Sequence, residues 1–298
     1  MEFHPIRAED QEIIQEYFKQ IDSRNCDMCF STTYLWREFY GLSWSQEGDM
    51  LIIKTGFQDE APGFYFPIGS ADPERALTAI ETWCEENRVP VRLYCVSRDH
   101  EKWLDIHRPS LYQVTYNRDV EDYVYEREKL VRLSGRKYHG KKNHVNKFKR
   151  AFPDWTYEPI TDANRRDCLE MLREWKKINS VEEDIEKHAE SCVARNYLLH
   201  LEMLGQKGGA IRAQGRIVAF TVGEKINSDT FVVHIEKAFS DVPGAYAIVN
   251  QQFLEHEAGD CFYVNREDDA GEEGLRQAKV SYHPVFMIEK GMAYRSFQ

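Results

Sequence analysis

Several features are missing from this sequence of 298 residues. No run of about 18 apolar residues occurs, the length a helix needs to cross a bilayer, so no membrane-spanning segment is expected. The opening residues, MEFHPIRAEDQEIIQEYF, lack the basic-then-apolar order of a secretory signal. Cysteines in regular spacing are also lacking: the seven lie at 26, 29, 84, 95, 168, 192 and 261. An odd, scattered set does not look like a disulfide framework and fits a reducing compartment. The one close pair, Cys26-Asp27-Met28-Cys29, has no second pair to complete a zinc site, so the reading is ordinary buried cysteine and no metal. These absences together predict a cytoplasmic protein, or one peripheral to the membrane.

Apolar residues are plentiful at 42%, with sixteen Phe, sixteen Tyr and six Trp, so the chain can bury substantial cores. Its length suggests two domains. Charge is unevenly distributed. The stretch YEREKLVRLSGRKYHGKKNHVNKFKR, from Tyr125 to Arg150, holds ten Lys and Arg against Glu126 and Glu128, a local charge of +8. The whole chain carries −11, which leaves −19 for the rest. A basic strip on an acidic protein attracts a polyanion at one place while the remaining surface repels it. Arg136, Lys137, Lys141, Lys142, Lys147 and Arg150 are therefore candidate phosphate-binding or RNA-binding residues; the alternative is a solvated helix pair joining two halves.

Periodicity predicts helices over 9–20 and 33–40, strands over 50–57 and 63–69 with a turn between them, a helix from Asp72 to Trp83 and a strand over 91–96. Gly135 and Gly140 split the basic stretch into two helical pieces. A similar order follows: helices over 162–177 and 185–204, a strand-turn-strand over 208–226 with the turn at Gln214-Gly215, a strand over 229–239, a helix over 244–256, a strand over 261–265, a helix over 274–282 and a last strand, VFMIEKG. The expected fold class is α/β, with domains at 1–122 and 153–298 joined by a basic helical connector at 123–152.

Three segments carry a likeness to a known family: Val233-His234-Ile235-Glu236-Lys237-Ala238, Asn265-Arg266-Glu267-Asp268-Asp269, and Gly274 to Val285, GLRQAKVSYHPV. With the early CDMCFSTTYLWREFYGL, they resemble the phosphatidylglycerol lysyltransferase C-terminal domain family, the tandem-GNAT catalytic part of lysyl-lipid synthases, which is similar to the Fem-type transferases. The resemblance implies two tandem GNAT-like domains, each a mixed, mostly antiparallel sheet flanked by helices. It also implies transfer of an amino acid from aminoacyl-tRNA to a lipid headgroup or another hydroxyl or amine acceptor. This sequence carries no membrane-spanning module, which leaves the acceptor more open than the donor.

An acetyl-CoA enzyme of that fold cradles pyrophosphate on the backbone N–H groups of a glycine-rich loop. The corresponding stretch here is Ser240-Asp241-Val242-Pro243-Gly244-Ala245, with one glycine, a proline lacking an N–H and an aspartate that repels phosphate. No cofactor is therefore expected, and a CoA-dependent N-acyltransferase is the alternative function, beside a non-catalytic RNA-binding or regulatory protein.

Aminoacyl transfer needs alignment, removal of a proton and stabilisation of an oxyanion. Glu236 and Lys237 adjoin on a strand and point to opposite faces, so Glu236 shares a face with His234. His234 and Glu236 are candidate base and orienter, or a pair gripping an amino group; the alternative is a salt-bridge partner and a satisfied histidine. The resemblance adds Lys279 as a third catalytic candidate. Asn265, Asp268, Asp269 and Tyr282 are candidate substrate-binding residues, the aspartates being suited to a cationic aminoacyl group.

Overall fold

The computed structural model describes residues 1–56, 61–179 and 185–295. Phe57 and Asp59-Glu60, placed by sequence in a strand and a turn, lie outside the described residues, as does the start of the helix expected from 185 at side-chain level. The chain forms two compact units. Unit 1 comprises Met1–Asp122, Asp268–Glu272 and Ile288–Gln298; unit 2 comprises Tyr123–Glu267 and Glu273–Met287. The sequence pattern suggested contiguous domains, whereas both units are assembled from separated segments.

Unit 1 contains β1 (His4–Pro5), α1 (Gln11–Ile21), α2 (Phe30–Trp36), β2 (Ser43–Glu47), β3 (Met50–Thr55), β4 (Gly63–Tyr65), α3 (Glu74–Glu86), β5 (Val91–Val96), α4 (Arg98–His107) and β6 (Gln113–Tyr116). Unit 2 continues with β7 (Asp122–Glu126), α5 (Arg127–Arg132), α6 (His139–Ala151), β8 (Thr156–Pro159), α7 (Arg165–Ile178), α8 (Ile185–His200), β9 (Lys207–Ala213), β10 (Arg216–Lys225), β11 (Thr230–Ala238), α9 (Ala245–Glu257), β12 (Tyr263–Asn265), α10 (Glu273–Val280) and β13 (Phe286–Ile288). The last strand, β14 (Gly291–Arg295), returns to unit 1.

Each unit has one seven-stranded sheet, and the two sheets share a plan. The first runs β1-β2-β3-β4-β5-β14-β6; the second, read from its far edge, runs β8-β9-β10-β11-β12-β7-β13. The fourth and fifth strands are parallel in each, β4 with β5 and β11 with β12, and the other pairings that can be compared are antiparallel. The sixth position comes from a remote segment in both: β14 in unit 1, β7 in unit 2. The similar element order of the two halves thus extends to sheet topology.

Local sequence explains the elements. In α1, Ile14, Tyr17 and Phe18 form the buried face, and Asp22 ends the helix in the left-handed region. β3 and β10 are central strands buried on both faces, which is why they read as continuous apolar runs rather than alternating ones. Between β9 and β10, Gln214 and Gly215 both have positive φ, 50° and 76°, as a two-residue hairpin turn twisted with its strands requires. The core of unit 1 packs Leu77, Ile80 and Cys84 of α3 on Ile52, Phe64 and Leu93. In unit 2, α9 lies on β9 to β11, with Phe253 edge-on to Phe231 at 5.5 Å.

All seven cysteines are free thiols. The Cys26 Sγ meets Asp122 Oδ1 at 3.2 Å and Lys290 Nζ at 3.4 Å. Lys290, just before β14, also bonds Asp122 at 2.7 Å and Asp27 at 3.0 Å. Burial opposes its charge, but Asp122 and then Asp27 more than offset this and hold the ammonium well above its ordinary value.

Candidate active site

In unit 2 the parallel pairing of β11 and β12 runs from Thr230↔Tyr263 to Val232↔Asn265 and stops there. Just beyond, the register of β10 against β11 jumps from Gly223↔Val233 to Val222↔Ile235, leaving His234 as the extra residue of a bulge. The ring of His234 is fully buried and stacks on Tyr197 at 4.9 Å. Its Nδ1 lies 2.8 Å from Glu267 Oε1 and its Nε2 lies 3.0 Å from Glu224 Oε1. Gln206 Nε2 donates to the same Glu224 oxygen at 3.2 Å. A neutral imidazole has one N–H and an ionised carboxylate has none, so both contacts are hydrogen bonds only when the triad holds a second proton.

Glu236, two residues on, is not joined to His234. Its Oε1 accepts from Arg266 Nη2 at 3.1 Å and its Oε2 from Asn250 Nδ2 at 3.0 Å. Lys237 points the other way, to Glu190 at 2.6 Å and over Trp175 at 4.2 Å, as strand alternation requires. Arg266 is almost wholly buried, yet Glu236 and the nearby Tyr125 and Tyr282 phenols favour its charge over the burial that opposes it.

Lys279, in the last turn of α10, is buried; its Nζ donates to the carbonyl of Arg266 at 2.7 Å, and its own carbonyl accepts from the Tyr125 hydroxyl at 2.8 Å. Tyr282 carries two cations near its ring, Lys141 Nζ at 4.0 Å and Arg266 Cζ at 4.8 Å from the centroid. Burial pushes its phenol up to about 12, with Arg266 acting against the rise. Asn265, fully buried, accepts from the Glu267 N–H at 2.6 Å and so fixes the turn, where Glu267 has φ of 58°.

Asp268 and Asp269, expected beside these residues in an acidic pocket, belong to unit 1. There Asp268 accepts from the Ala270 N–H at 3.1 Å and lies 3.9 Å from Lys290, while the buried Asp269 accepts from the Gly271 N–H at 3.0 Å and lies 3.6 Å from Arg118. In the basic strip, Arg136, Lys137, Lys142, Lys147 and Arg150 are exposed on α6 and the short helical turn before it. A cavity of about 720 Å³ opens among Arg136, His139, Gly140 and Lys142. Lys141 differs from its neighbours in being half-buried.

Sequence reasoning passed over four members of this site: Glu224, Asn250, Arg266 as an individual residue, and Glu267. Glu224 had a signal, a carboxylate closing the apolar run of β10. Asn250 had one too, an amide inside the apolar face of α9.

The loop before α9 is poorly furnished for CoA pyrophosphate. A Cβ on Gly244 would collide with the carbonyl oxygen of His144 in α6 and lie 3.0 Å from Phe148 Cβ, so α6 packs directly against Gly244, while Ser240, Asp241 and Pro243 before it are exposed. The Val242 and Ala245 N–H groups are taken by Phe239 and Val242 carbonyls, and Pro243 has none to offer.

Two repeated sheets, each with a parallel pair opening at its fourth and fifth strands and helices in matching places, define a tandem GNAT-fold protein. A tandem GNAT protein from the clavulanic acid biosynthesis pathway has the same fold, with a TM-score of 0.52 and 10% identity over 100% of this chain and 99% of that one. Residues 18–294 match the family described as phosphatidylglycerol lysyltransferase, C-terminal, and the chain belongs to that family. It is also similar to a conserved protein of unknown function from Bacteroides thetaiotaomicron, at 34% identity and a TM-score of 0.94 over 98% of this chain and 99% of that one. The L-PGS of Bacillus licheniformis shares the fold at 15% identity, with a TM-score of 0.67 over 99% and 93% of the two chains. No helix among the described residues is long and apolar enough to cross a membrane.

Proposed function

We propose that the protein transfers an amino acid from aminoacyl-tRNA to a hydroxyl or amine acceptor, with a phospholipid headgroup as the first acceptor to test. One observation carries this reading: the point where β11 and β12 cease to pair is furnished with His234, Glu236, Arg266 and Glu267, while the loop that would hold CoA has a proline and two N–H groups already bonded within the loop. Membership of a family described as phosphatidylglycerol lysyltransferase supports an amino acid as the group moved and a phospholipid as an acceptor.

In the transfer, the acceptor oxygen or nitrogen bonds to the aminoacyl carbonyl carbon, and the bond from that carbon to the terminal ribose oxygen breaks. The acceptor's proton ends on the ribose oxygen. Glu267, with its side chain 30% exposed, is the open end of the His234 triad and is assigned as the group that takes and returns this proton. His234 orients it from a buried position. Glu236 and Lys279 act through Arg266, one on its guanidinium and the other on its carbonyl, so both are positioning residues. The basic strip supports binding of the acceptor arm through phosphate contacts.

The test is incubation with tRNA charged with labelled amino acids, together with phosphatidylglycerol vesicles in one arm and a peptide amine in another. The expected result is label leaving tRNA faster than by spontaneous hydrolysis and reaching one acceptor. Label lost only at the spontaneous rate in every arm, with consumption of acetyl-CoA instead, would overturn the reading.

A further inference from the structure

The cluster around Glu236 holds more cation than anion. Lys141 and Arg266 both stand within 5 Å of the centre of the Tyr282 ring. The carboxylate that acts on both, Glu236, is already divided between Arg266 Nη2 and Asn250 Nδ2. Two atoms of the same cluster are buried with no hydrogen-bond partner: Arg266 Nη1, a donor, and Asn250 Oδ1, an acceptor. An unmet guanidinium N–H keeps the full cost of its lost hydration, so a buried one points to a group that binds there. Among the described residues the Lys141 ammonium has no ion-pair partner. Burial, then repulsion by Arg266, lowers it to about 8, with Glu236 acting against the shift.

We propose that Lys141 and Arg266 form a site for one phosphate group, in which Arg266 Nη1 donates to a phosphate oxygen and Lys141 supplies the second cation. A planar guanidinium and a point-charge ammonium at one aromatic ring, with one carboxylate acting on both, leave an excess positive charge for a tetrahedral anion. The exposed Lys137 and Lys142 flank Lys141 in the chain and extend positive charge toward adjoining phosphates. RNA backbone and phospholipid headgroup share this phosphodiester chemistry. Assigning the site to either one rests on the aminoacyl-transfer reading; the phosphate site does not.

The proposal is tested on the intact protein by competitive acetylation of its lysines with acetic anhydride across pH, read peptide by peptide in a mass spectrometer. Burial, Arg266 after β12 and Glu236 on β11 set the Lys141 midpoint, and the Tyr282 ring after α10 faces it; α9, packed on α6, gives the cluster the uncharged Asn250 and keeps Glu255, His256 and Glu257 in its last turn. The expected midpoint for Lys141 is near pH 8, and inorganic phosphate raises it by about one unit, a tenfold fall in labelling below the midpoint. Lys19 of α1, exposed and far along the chain from the basic strip, serves as the internal control and stays unchanged. Added protection by glycerophosphoglycerol or by short single-stranded RNA supports the site and assigns its source. Labelling of Lys141 that no phosphate compound alters overturns the site. No turnover is involved, so a protein that is protected but transfers nothing would remove the transferase reading alone.

Discussion

Arg266 Nη2 and Glu236 Oε1 stand 3.1 Å apart with both side chains almost wholly buried, and their bond ties the end of β12 to β11 beyond the last residues at which those strands pair. It substitutes a side-chain bridge for a missing ladder.

Removing one side of that bridge strands a buried guanidinium. Glu236→Ala is expected to cost about 3–5 kcal/mol of stability, the usual penalty for leaving a buried charge unpaired, and Glu236→Gln less because its amide oxygen still accepts. Urea unfolding would check this. An unchanged midpoint in Glu236→Ala would mean that Arg266 finds water instead.

Gly244→Ala tests the closure of the α9 loop. Gly244 has φ of 86° and no room for a Cβ beneath His144, so strain and collision act together. A loss of about 1–3 kcal/mol is expected, seen as a lower melting temperature. Gly259, which has open space around it, is the control, and equal effects at both sites would refute the packing of α6 on this loop.

For the strip, the exposed Lys142 and Lys147 are better probes than the half-buried Lys141. The pair Lys142→Glu with Lys147→Glu should lower tRNA affinity and reduce the slope of log affinity against log salt by about 1.5–2, near one for each phosphate no longer neutralised. A slope equal to the parent's would take the strip out of RNA binding.

In unit 1, His100 stacks on Phe66 at 4.0 Å, and its Nδ1 accepts from the Ser97 N–H at 3.2 Å. Burial lowers its pKa to about 4, although the backbone near Cys95 favours its charge. The unfolded chain therefore takes up a proton near pH 6.5 that the folded unit refuses. Stability is complete above about pH 6.5 and falls as pH drops toward 4, by up to about 3 kcal/mol. Guanidinium unfolding at pH 7.5 and pH 5 should show this difference shrinking in His100→Leu; an identical pH dependence in both proteins would exclude His100 as its source.

Much of the fold is legible where neighbours in sequence determine it. The apolar face of α1, the central runs of β3 and β10 and the Gln214-Gly215 turn all form where periodicity puts them. Strands β2, β6, β7, β8 and β14 escape such a reading, being short, at or near edges, or mixed in polarity, so that their pairing is fixed by distant partners. The Gln113↔Tyr294 pairing of β6 with β14, for example, has no local trace. In the site, strand periodicity puts His234 and Glu236 on one strand without separating their partners. The bulge at His234 gives each its own set of contacts, and those come from residues 10 to 33 positions away. Charge alone reveals the strip, yet it does not separate Lys141, which faces Tyr282, from the exposed lysines beside it.

The place of β14 in the first sheet carries a consequence for how the protein is made. It pairs with β5 on one side and β6 on the other, so the sheet of unit 1 stays split until residues 291–295 have left the ribosome. At roughly 5–20 residues per second, the nascent first half waits about ten to thirty seconds with those two strands unzipped. During that interval a chaperone, or a β14 segment from a neighbouring polysome chain, has access to the gap, and the protein's yield becomes a matter of translation speed as well as of stability.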